Sequence, residues 1–186
     1  GPVEQAGTFL QPGTDYLEIP HAAQYLLTNV WSVQFWFKSA STDGGTGKRV
    51  WQKLWPLNSQ PGSFEFLWGN GGPMVAALDE HLETVRFATN TIDAWNHYLV
   101  TRTKAPNQLK AYLNGVLVGE TNIAVLSADI TNTIPIFLMH DRAGSQWDAI
   151  GWLDEVAIWN RAVDASEVGT LYGAGPDSSR GPPRTR

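Results

Sequence analysis

The 186-residue chain has no cysteine, few charged residues and no long apolar run. Without cysteine, disulfides, thiolate nucleophiles and cysteine-ligated metals are excluded. Charged residues make up 17% of the chain, too few for a coiled coil or another long-helix protein. No apolar stretch reaches the length of a membrane span, so we expect no membrane insertion. The net charge of −5 argues against a nucleic-acid partner, because such a partner would need a basic face.

What the chain contains in abundance is aromatic and turn-forming residues, with nine Trp and 18 Gly. Short alternating segments recur between turn signals; in 31–39, for example, apolar side chains stand at positions 33, 35 and 37. Asn114-Gly115 separates two such segments and predicts a tight type I′ hairpin turn. The pattern predicts an all-β fold, a two-sheet antiparallel sandwich.

One short helix is predicted near the C-terminal end. Asp164 stands at an N-cap position, and Glu167 three residues later can complete a capping box. The apolar residues that follow give the helix one face to bury. The residues after Gly173 show no apolar periodicity and are typical of a disordered linker.

Four segments resemble, in order, the laminin-G-like, concanavalin A-like jelly-roll family. Residues 17–20 and 30–38 look like its opening strands, and 93–102 (DAWNHYLVTR) is similar to its W-x-H strand. Residues 109–119 resemble its Asn-Gly hairpin, and 151–172 (GWLDEVAIWNRAV…LY) its closing strand and helix. The resemblance implies a jelly-roll sandwich with one short C-terminal helix over residues 8–173. Residues 1–7 are expected to be an N-terminal extension that includes a tag scar (Gly1-Pro2), and residues 174–186 a disordered tail or linker.

The same resemblance favours ligand binding at the loops. A loop tryptophan can stack on the CH groups of a sugar while neighbouring polar side chains bond its hydroxyls. Tryptophan is usually buried, so the alternative is that these rings cap an open end of the sandwich. The predicted ligand-binding residues are Trp55, Trp68, Trp147, Asn70, Asp141 and Arg142.

Asp154 is the strongest candidate for a buried carboxylate. Alternation along its strand places it on the same face as Val156 and Ile158, toward the core, where a bare carboxylate is too costly. Two interpretations stay open. Asp154 is a structural residue satisfied by hydrogen bonds, or it binds Ca²⁺, which prefers oxygen ligands. Relatives often carry a structural calcium between the first and last strands, which here implies Asp154 with Asp15 and backbone carbonyls near Gly13. The loop carboxylates Asp129, Asp141 and Asp148 are interpreted as solvated; the alternative, which the resemblance to pentraxins and laminin G modules implies, is a calcium at the rim of the sandwich that holds a ligand.

No catalytic constellation is present in the sequence. Glucanases of this fold use two carboxylates about 5 Å apart. The nearest acidic cluster, 79–83, lacks strand alternation and is typical of a solvated hairpin end. Neither H-E-x-x-H nor G-x-S-x-G occurs. The sequence therefore predicts a protein that is not an enzyme.

We expect a non-catalytic module that binds glycan, lectin-like, through loop aromatics. The alternative is a structural or adhesion module of a larger surface or phage virion protein, which binds protein instead. Either function predicts an extracellular, cell-surface or virion-surface location. In either case we expect the domain to be part of a larger polypeptide or assembly.

Overall fold

The chain folds into two six-stranded antiparallel sheets packed face to face. A computed structural model describes residues 7–40, 47–53, 62–68, 73–78, 83–89, 93–123, 129–142 and 144–176. The strands are β1 (Gly7–Phe9), β2 (Leu17–Ile19), β3 (Trp31–Ser39), β4 (Lys48–Lys53), β5 (Phe64–Trp68), β6 (Pro73–Leu78), β7 (Glu83–Thr89), β8 (Asn96–Lys104), β9 (Asn107–Leu113), β10 (Val116–Asn122), β11 (Ile136–Leu138) and β12 (Gly151–Trp159). Single-turn 3₁₀ helices span Ala23–Tyr25 and Ser145–Trp147, and the α-helix α1 spans Ala165–Ala174.

Strand order confirms the predicted sandwich. Sheet A runs β1-β12-β3-β8-β9-β10, and sheet B runs β2-β11-β4-β5-β6-β7. Asn114 (φ 51°) and Gly115 (φ 81°) turn the chain between β9 and β10, both in the left-handed region that a type I′ turn needs. No helix among the described residues is long and apolar enough to span a membrane.

Interlocking aromatic rings fill the core between the sheets. Phe35 of sheet A meets Phe66 of sheet B edge to face, with ring centroids 4.7 Å apart. Trp31 meets Phe64 in the same way at 4.8 Å. All four side chains are fully buried. Because aromatic pairs combine a large buried area with a preferred geometry, these contacts fix how the two sheets face each other.

Strand β12 departs from regular alternation at Asp154. Its pairing with β3 shifts between Asp154 and Ala157, and Glu155 has a φ of 48°. Leu153 and Val156 both pack against the core, so the two residues between them form a β-bulge. Asp154 is buried, but it pairs with Trp36 on the outer face of sheet A. The predicted inward orientation of Asp154 is wrong, because the bulge resets the alternation.

Helix α1 begins with the predicted capping box. The Asp164 carboxylate accepts hydrogen bonds from the backbone N–H groups of Ser166 (2.8 Å) and Glu167 (2.9 Å). The Glu167 carboxylate accepts one in return from the Asp164 N–H, at 3.1 Å. Three otherwise unpaired backbone donors are thereby satisfied, which confirms this start of the helix.

The helix covers part of the outer face of sheet A. Val168 is fully buried and packs with Leu99 and Tyr112 in a second apolar cluster, separate from the main core. One turn further on, the Tyr172 ring stacks on Trp36, with centroids 5.6 Å apart. This outer face of the sheet is therefore an aromatic and apolar surface that the helix shelters.

His97 lies buried beside this cluster, on β8. Its Nε2 is 3.0 Å from Gln34 Oε1, and because that oxygen can only accept, Nε2 carries the proton. Burial lowers the pKa of His97 from 6.5 to about 4, since desolvation disfavours the charged imidazolium. The folded protein consequently keeps this imidazole neutral near pH 7.

We expect His97 to make the fold sensitive to mild acid. Between pH 6.5 and pH 4, His97 is protonated in the unfolded chain but stays neutral in the folded chain. The free energy of unfolding therefore falls as the pH falls. The full effect is about 3 kcal/mol. Urea unfolding of the wild type and of His97→Gln across this pH range measures the effect. In the variant, the free energy of unfolding should fall less steeply with falling pH, because the contribution of His97 is gone. Equal slopes for both proteins would contradict the prediction.

We expect Gly151→Ala to destabilise the sandwich. Gly151 opens β12 with a φ of 153°, and a Cβ there would lie 2.2 Å from the Lys38 carbonyl oxygen. Relieving that overlap must separate β12 from β3, at a cost of about 3 kcal/mol. The matched control is Gly169→Ala in α1, where an added Cβ meets nothing within 4 Å. That change should raise the free energy of unfolding by up to about 1 kcal/mol; a control that loses as much stability as Gly151→Ala would refute the steric explanation.

Candidate functional site

A cluster of polar and aromatic side chains lies at one rim of the sandwich. Here the loop between β1 and β2 meets the loop between β11 and β12, next to β4. We call it the rim cluster, and it comprises Tyr16, Lys48, Arg49, Phe137, His140, Asp141, Arg142, Gln146, Trp147 and Asp148.

The carboxylate of Asp148 holds the rim cluster together. Its Oδ2 accepts a 2.7 Å hydrogen bond from the Gly13 N–H. Its Oδ1 accepts from the Asp141 N–H at 2.7 Å and from His140 Nδ1 at 3.0 Å. Asp148 is only 1% exposed and also forms a backbone bridge with Arg49. One buried carboxylate therefore fastens both loops to each other and to β4.

The expectation that the loop carboxylates are solvated is wrong for Asp141 and Asp148, which are both buried. The physical reason is that backbone and side-chain donors converge on them, so that burial leaves no bare charge. Asp129 is partly exposed, accepts from the Asn29 N–H at 2.7 Å and lies 3.3 Å from Arg102 Nη1. It also has a structural role, away from the rim cluster.

Arg49 contacts two buried carboxylates on one side and an exposed tryptophan ring on the other. Its Nε donates to Glu65 Oε2 at 3.2 Å, and its Nη1 lies 4.0 Å from Asp141 Oδ2. The guanidinium carbon also lies 5.9 Å from the centre of the Trp147 ring, within reach of a cation–π interaction. Trp147 keeps 39% of its surface exposed. Arg49 thus supports an indole that solvent can still reach.

A second exposed aromatic residue stands on the other loop of the rim cluster. Tyr16 stacks on His140 with ring centroids 4.4 Å apart and stays 40% exposed. His140 also contacts Phe137, whose ring lies 5.9 Å from the Arg142 guanidinium carbon. The Arg142 side chain is exposed. Because Asp148 binds His140, the same carboxylate that joins the loops also orients the ring beneath Tyr16.

The structure places the predicted ligand-binding residues in three different situations. Trp147, Asp141 and Arg142 come together in the rim cluster. Trp68 does not, since it ends β5 as a fully buried core residue, edge to face with Phe37 at 6.0 Å. Its prediction as a loop platform is wrong, because the strand extends to it and turns its ring inward. Trp55 and Asn70 lie outside the described residues.

Both predicted calcium ligands have local structural partners. Asp15 Oδ2 accepts from the Leu10 N–H at 3.0 Å and the Gln11 N–H at 2.9 Å. Asp154 Oδ1 accepts from the Glu155 N–H at 2.9 Å. In the part of the chain that the structure describes, no three His, Asp or Glu side chains converge as a metal-binding group. Calcium at these two carboxylates stays a prediction.

Sequence reasoning missed Tyr16, Arg49 and His140. Each is unremarkable in its own segment, and the segments are far apart along the chain. A possible signal was His140 and Asp141 ahead of Asp148 in a loop rich in polar residues, but nothing in the sequence connects that loop to Tyr16.

Comparison with known proteins shows which family the chain belongs to. The profile of the concanavalin A-like lectin/glucanase superfamily, a laminin G type, matches residues 11–169. The chain belongs to this superfamily. No curated protein matches the chain in sequence.

Several solved structures share the superfamily fold at low sequence identity. The binding domain of Paraclostridial mosquitocidal protein 1 is 13% identical with a TM-score of 0.71, over 94% of this chain and 45% of its own. The ligand-binding domain of botulinum neurotoxin serotype D, solved with N-acetylneuraminic acid, is 14% identical with a TM-score of 0.70, over 92% and 45%. The Ruminococcus gnavus IT-sialidase CBM40 is 13% identical with a TM-score of 0.65, over 84% and 96%. The chain spans less than half the length of the two toxin domains.

We expect Asp148→Ala to destabilise the protein strongly. The substitution removes three hydrogen bonds to a buried charge and leaves two backbone N–H groups without an acceptor. The free energy of unfolding should fall by about 3–5 kcal/mol, measured by urea denaturation. The matched control is Glu120→Gln, which disrupts the exposed 3.4 Å pair with Lys110 and should cost less than about 1 kcal/mol. If Asp148→Ala costs no more than the control, the carboxylate does not hold the loops.

Proposed function

We propose that this superfamily member is a non-catalytic binding module that takes carbohydrate at the rim cluster. The observation that carries the proposal is Trp147, an exposed indole supported by Arg49 and surrounded by polar groups. A sugar ring has apolar CH faces and a polar edge. It can stack on such an indole while its hydroxyls bond to the neighbouring side chains.

The charges at the rim cluster favour an acidic sugar. The carboxylates of Asp141 and Asp148 are buried and point to internal partners, whereas the guanidinium of Arg142 is exposed. Lys48 donates at 2.9 Å to the carbonyl of Gln146, the residue before Trp147. Cations therefore face the solvent while anions lie beneath them, and guanidinium groups bind carboxylates well. The likeness to a domain solved with N-acetylneuraminic acid supports the same class of ligand.

The carboxylates also support a non-catalytic role. A glycosidase needs two carboxyl groups that reach the scissile bond. At the rim cluster, Asp148 accepts three hydrogen bonds inside the protein, and beneath the cluster Glu65 is fully buried against Arg49. Asp148 joins the two loops, and Glu65 holds the Arg49 guanidinium.

A protein partner is the second candidate. Leu10 and Leu17 are exposed large apolar residues that precede and follow Tyr16 in the sequence, and Leu17 opens β2, an edge strand of sheet B among the described residues. Exposed apolar side chains together with an edge strand suit protein contacts. In that case the domain is an adhesion or structural module, and it presents the same rim to protein.

A glycan array that includes sialylated and neutral glycans tests the proposal, with Trp147→Ala as the variant. We expect binding to acidic glycans, weakened about tenfold or more by the substitution, which is about 1.4 kcal/mol. The matched control is Trp152→Ala, because Trp152 also lies under a cation, Lys38 at 5.2 Å, but on sheet A. The control should bind normally.

Equal binding by wild type and Trp147→Ala would contradict the rim as the glycan site. An array without any binding would overturn the glycan proposal, and stable complexes with protein would then favour the second candidate. Repeating the array with EDTA tests calcium at Asp15 and Asp154. A loss of binding that calcium restores would support it, and unchanged binding would remove it.

A further inference from the structure

A second exposed apolar surface lies at the β9–β10 hairpin, on the edge of sheet A opposite to β1. Val116 and Leu117 begin β10 with 63% and 46% of their surface exposed, and Val116 is the most exposed large apolar side chain among the described residues. Tyr172 is 40% exposed and lies against the turn, since a Cβ on Gly115 would be 3.0 Å from its ring. We call Gly115, Val116, Leu117 and Tyr172 the hairpin patch.

The hairpin patch lies in two segments that carry no charge. Residues 112–119 (YLNGVLVG) and 168–176 (VGTLYGAGP) contain no Asp, Glu, Lys, Arg or His, although charged residues make up 17% of the chain. Further along the hairpin, Lys110 and Glu120 pair with each other at 3.4 Å. Depletion of charge distinguishes the core of a protein interface from the rest of a surface, and exposed apolar patches mark contact sites. The hairpin patch therefore has the composition of an interface core.

The structure holds the exposed ring of Tyr172 in place. The ring stacks on Trp36 with centroids 5.6 Å apart and lies 6.2 Å from the His97 ring. Asn114 fixes the turn beside it, because its Oδ1 accepts from the His97 N–H at 2.8 Å and its Nδ2 donates to Asn96 Oδ1 at 3.1 Å. Ordering a free side chain on association costs affinity. Tyr172 has already lost that freedom, so a partner can bury its ring at little entropic cost.

The backbone edge of β10 is covered beyond the first residues of the strand. A Cβ on Gly119 would lie 2.5 Å from the Arg86 carbonyl oxygen of β7, and Thr121 Oγ1 donates to the Thr84 carbonyl at 2.9 Å. Because β7 lies against this part of β10, another strand cannot pair along its whole length. A partner at the hairpin patch consequently meets side chains rather than an open strand edge.

The partner that the hairpin patch suits best is a second copy of the same chain. In a two-fold contact the same patch lies on both sides, so a charge near the axis would face its own sign. The exposed Arg142 would cause such repulsion at the rim cluster, whereas the two segments of the hairpin patch have no charge to oppose. Lys110 and Glu120 at the margin supply one charge of each sign, so either one can face its opposite in the second copy. An acidic protein or an anionic membrane would find no counter-charge in these segments.

We propose that two copies of the chain form a weak two-fold dimer through the hairpin patch, with Val116, Leu117 and Tyr172 of each copy at its centre. The contact is small, so we expect a dissociation constant on the order of 10–100 μM. The rim cluster involves neither the hairpin nor α1, so the dimer leaves it free in both copies. A dimer would therefore bind a surface that carries several ligands with a gain in avidity.

Sedimentation equilibrium of the whole chain from about 5 to 500 μM tests the proposal. We expect a monomer–dimer equilibrium that about 0.5 M NaCl does not weaken, because salt screens ion pairs but not apolar contacts. Leu117→Asp puts the same charge on both sides of the contact and should weaken dimerisation at least about tenfold. The matched control is Leu17→Asp, the same change at a leucine of β2 that is 43% exposed, and it should dimerise like wild type.

Crosslinking locates the contact without introducing a charge. The chain has no cysteine, so Val116→Cys creates a single thiol. A short bis-maleimide should join two copies of this variant at concentrations near the dissociation constant. Leu17→Cys, treated in the same way, should stay uncrosslinked. Circular dichroism of all four variants checks that each is folded.

A chain that stays monomeric up to about 500 μM would overturn the proposal. Equal dissociation constants for folded Leu117→Asp and Leu17→Asp would also overturn it. So would crosslinking of Leu17→Cys in preference to Val116→Cys, because the contact would then lie at β2. These experiments use no glycan, so their outcome is independent of the function proposed for the rim cluster.

Discussion

The buried carboxylate of Asp148 is the interaction on which the candidate site depends. A buried charge is tolerated only with well-placed partners, and Asp148 finds three of them at Gly13, His140 and Asp141. Gly13 is 135 residues away along the chain, so the loop before β2 is held by a contact at the far end of the sequence. The same group orients His140, on which the exposed Tyr16 ring stacks.

Charge is layered at the rim cluster. Asp141 and Asp148 are buried beneath the surface and Arg142 is exposed, so cations face solvent there. The strands of the sandwich supply a rigid frame, and the arrangement of charge comes from the loop between β11 and β12 that they carry.

Features set by neighbouring residues could be predicted from the sequence, and features set by distant contacts could not. Alternation and turn residues predict the strands and the sandwich, and the capping box of α1 needs only Asp164 and Glu167. Trp68 and Trp147 look equivalent in sequence because both lie beside loops, yet only tertiary packing decides that one ring turns inward. The bulge at Glu155 could not be predicted from the sequence either, because it is defined by the register of β12 against β3.

We propose above all that Trp147 forms the floor of an acidic-glycan site. A crystal structure of the chain soaked with a short sialylated oligosaccharide addresses it. We predict the terminal sugar against the exposed part of the Trp147 indole, with its carboxylate near the Arg142 guanidinium. A sugar bound elsewhere, with Trp147 and Arg142 untouched at saturating ligand, would contradict the assignment of the rim cluster as the glycan site.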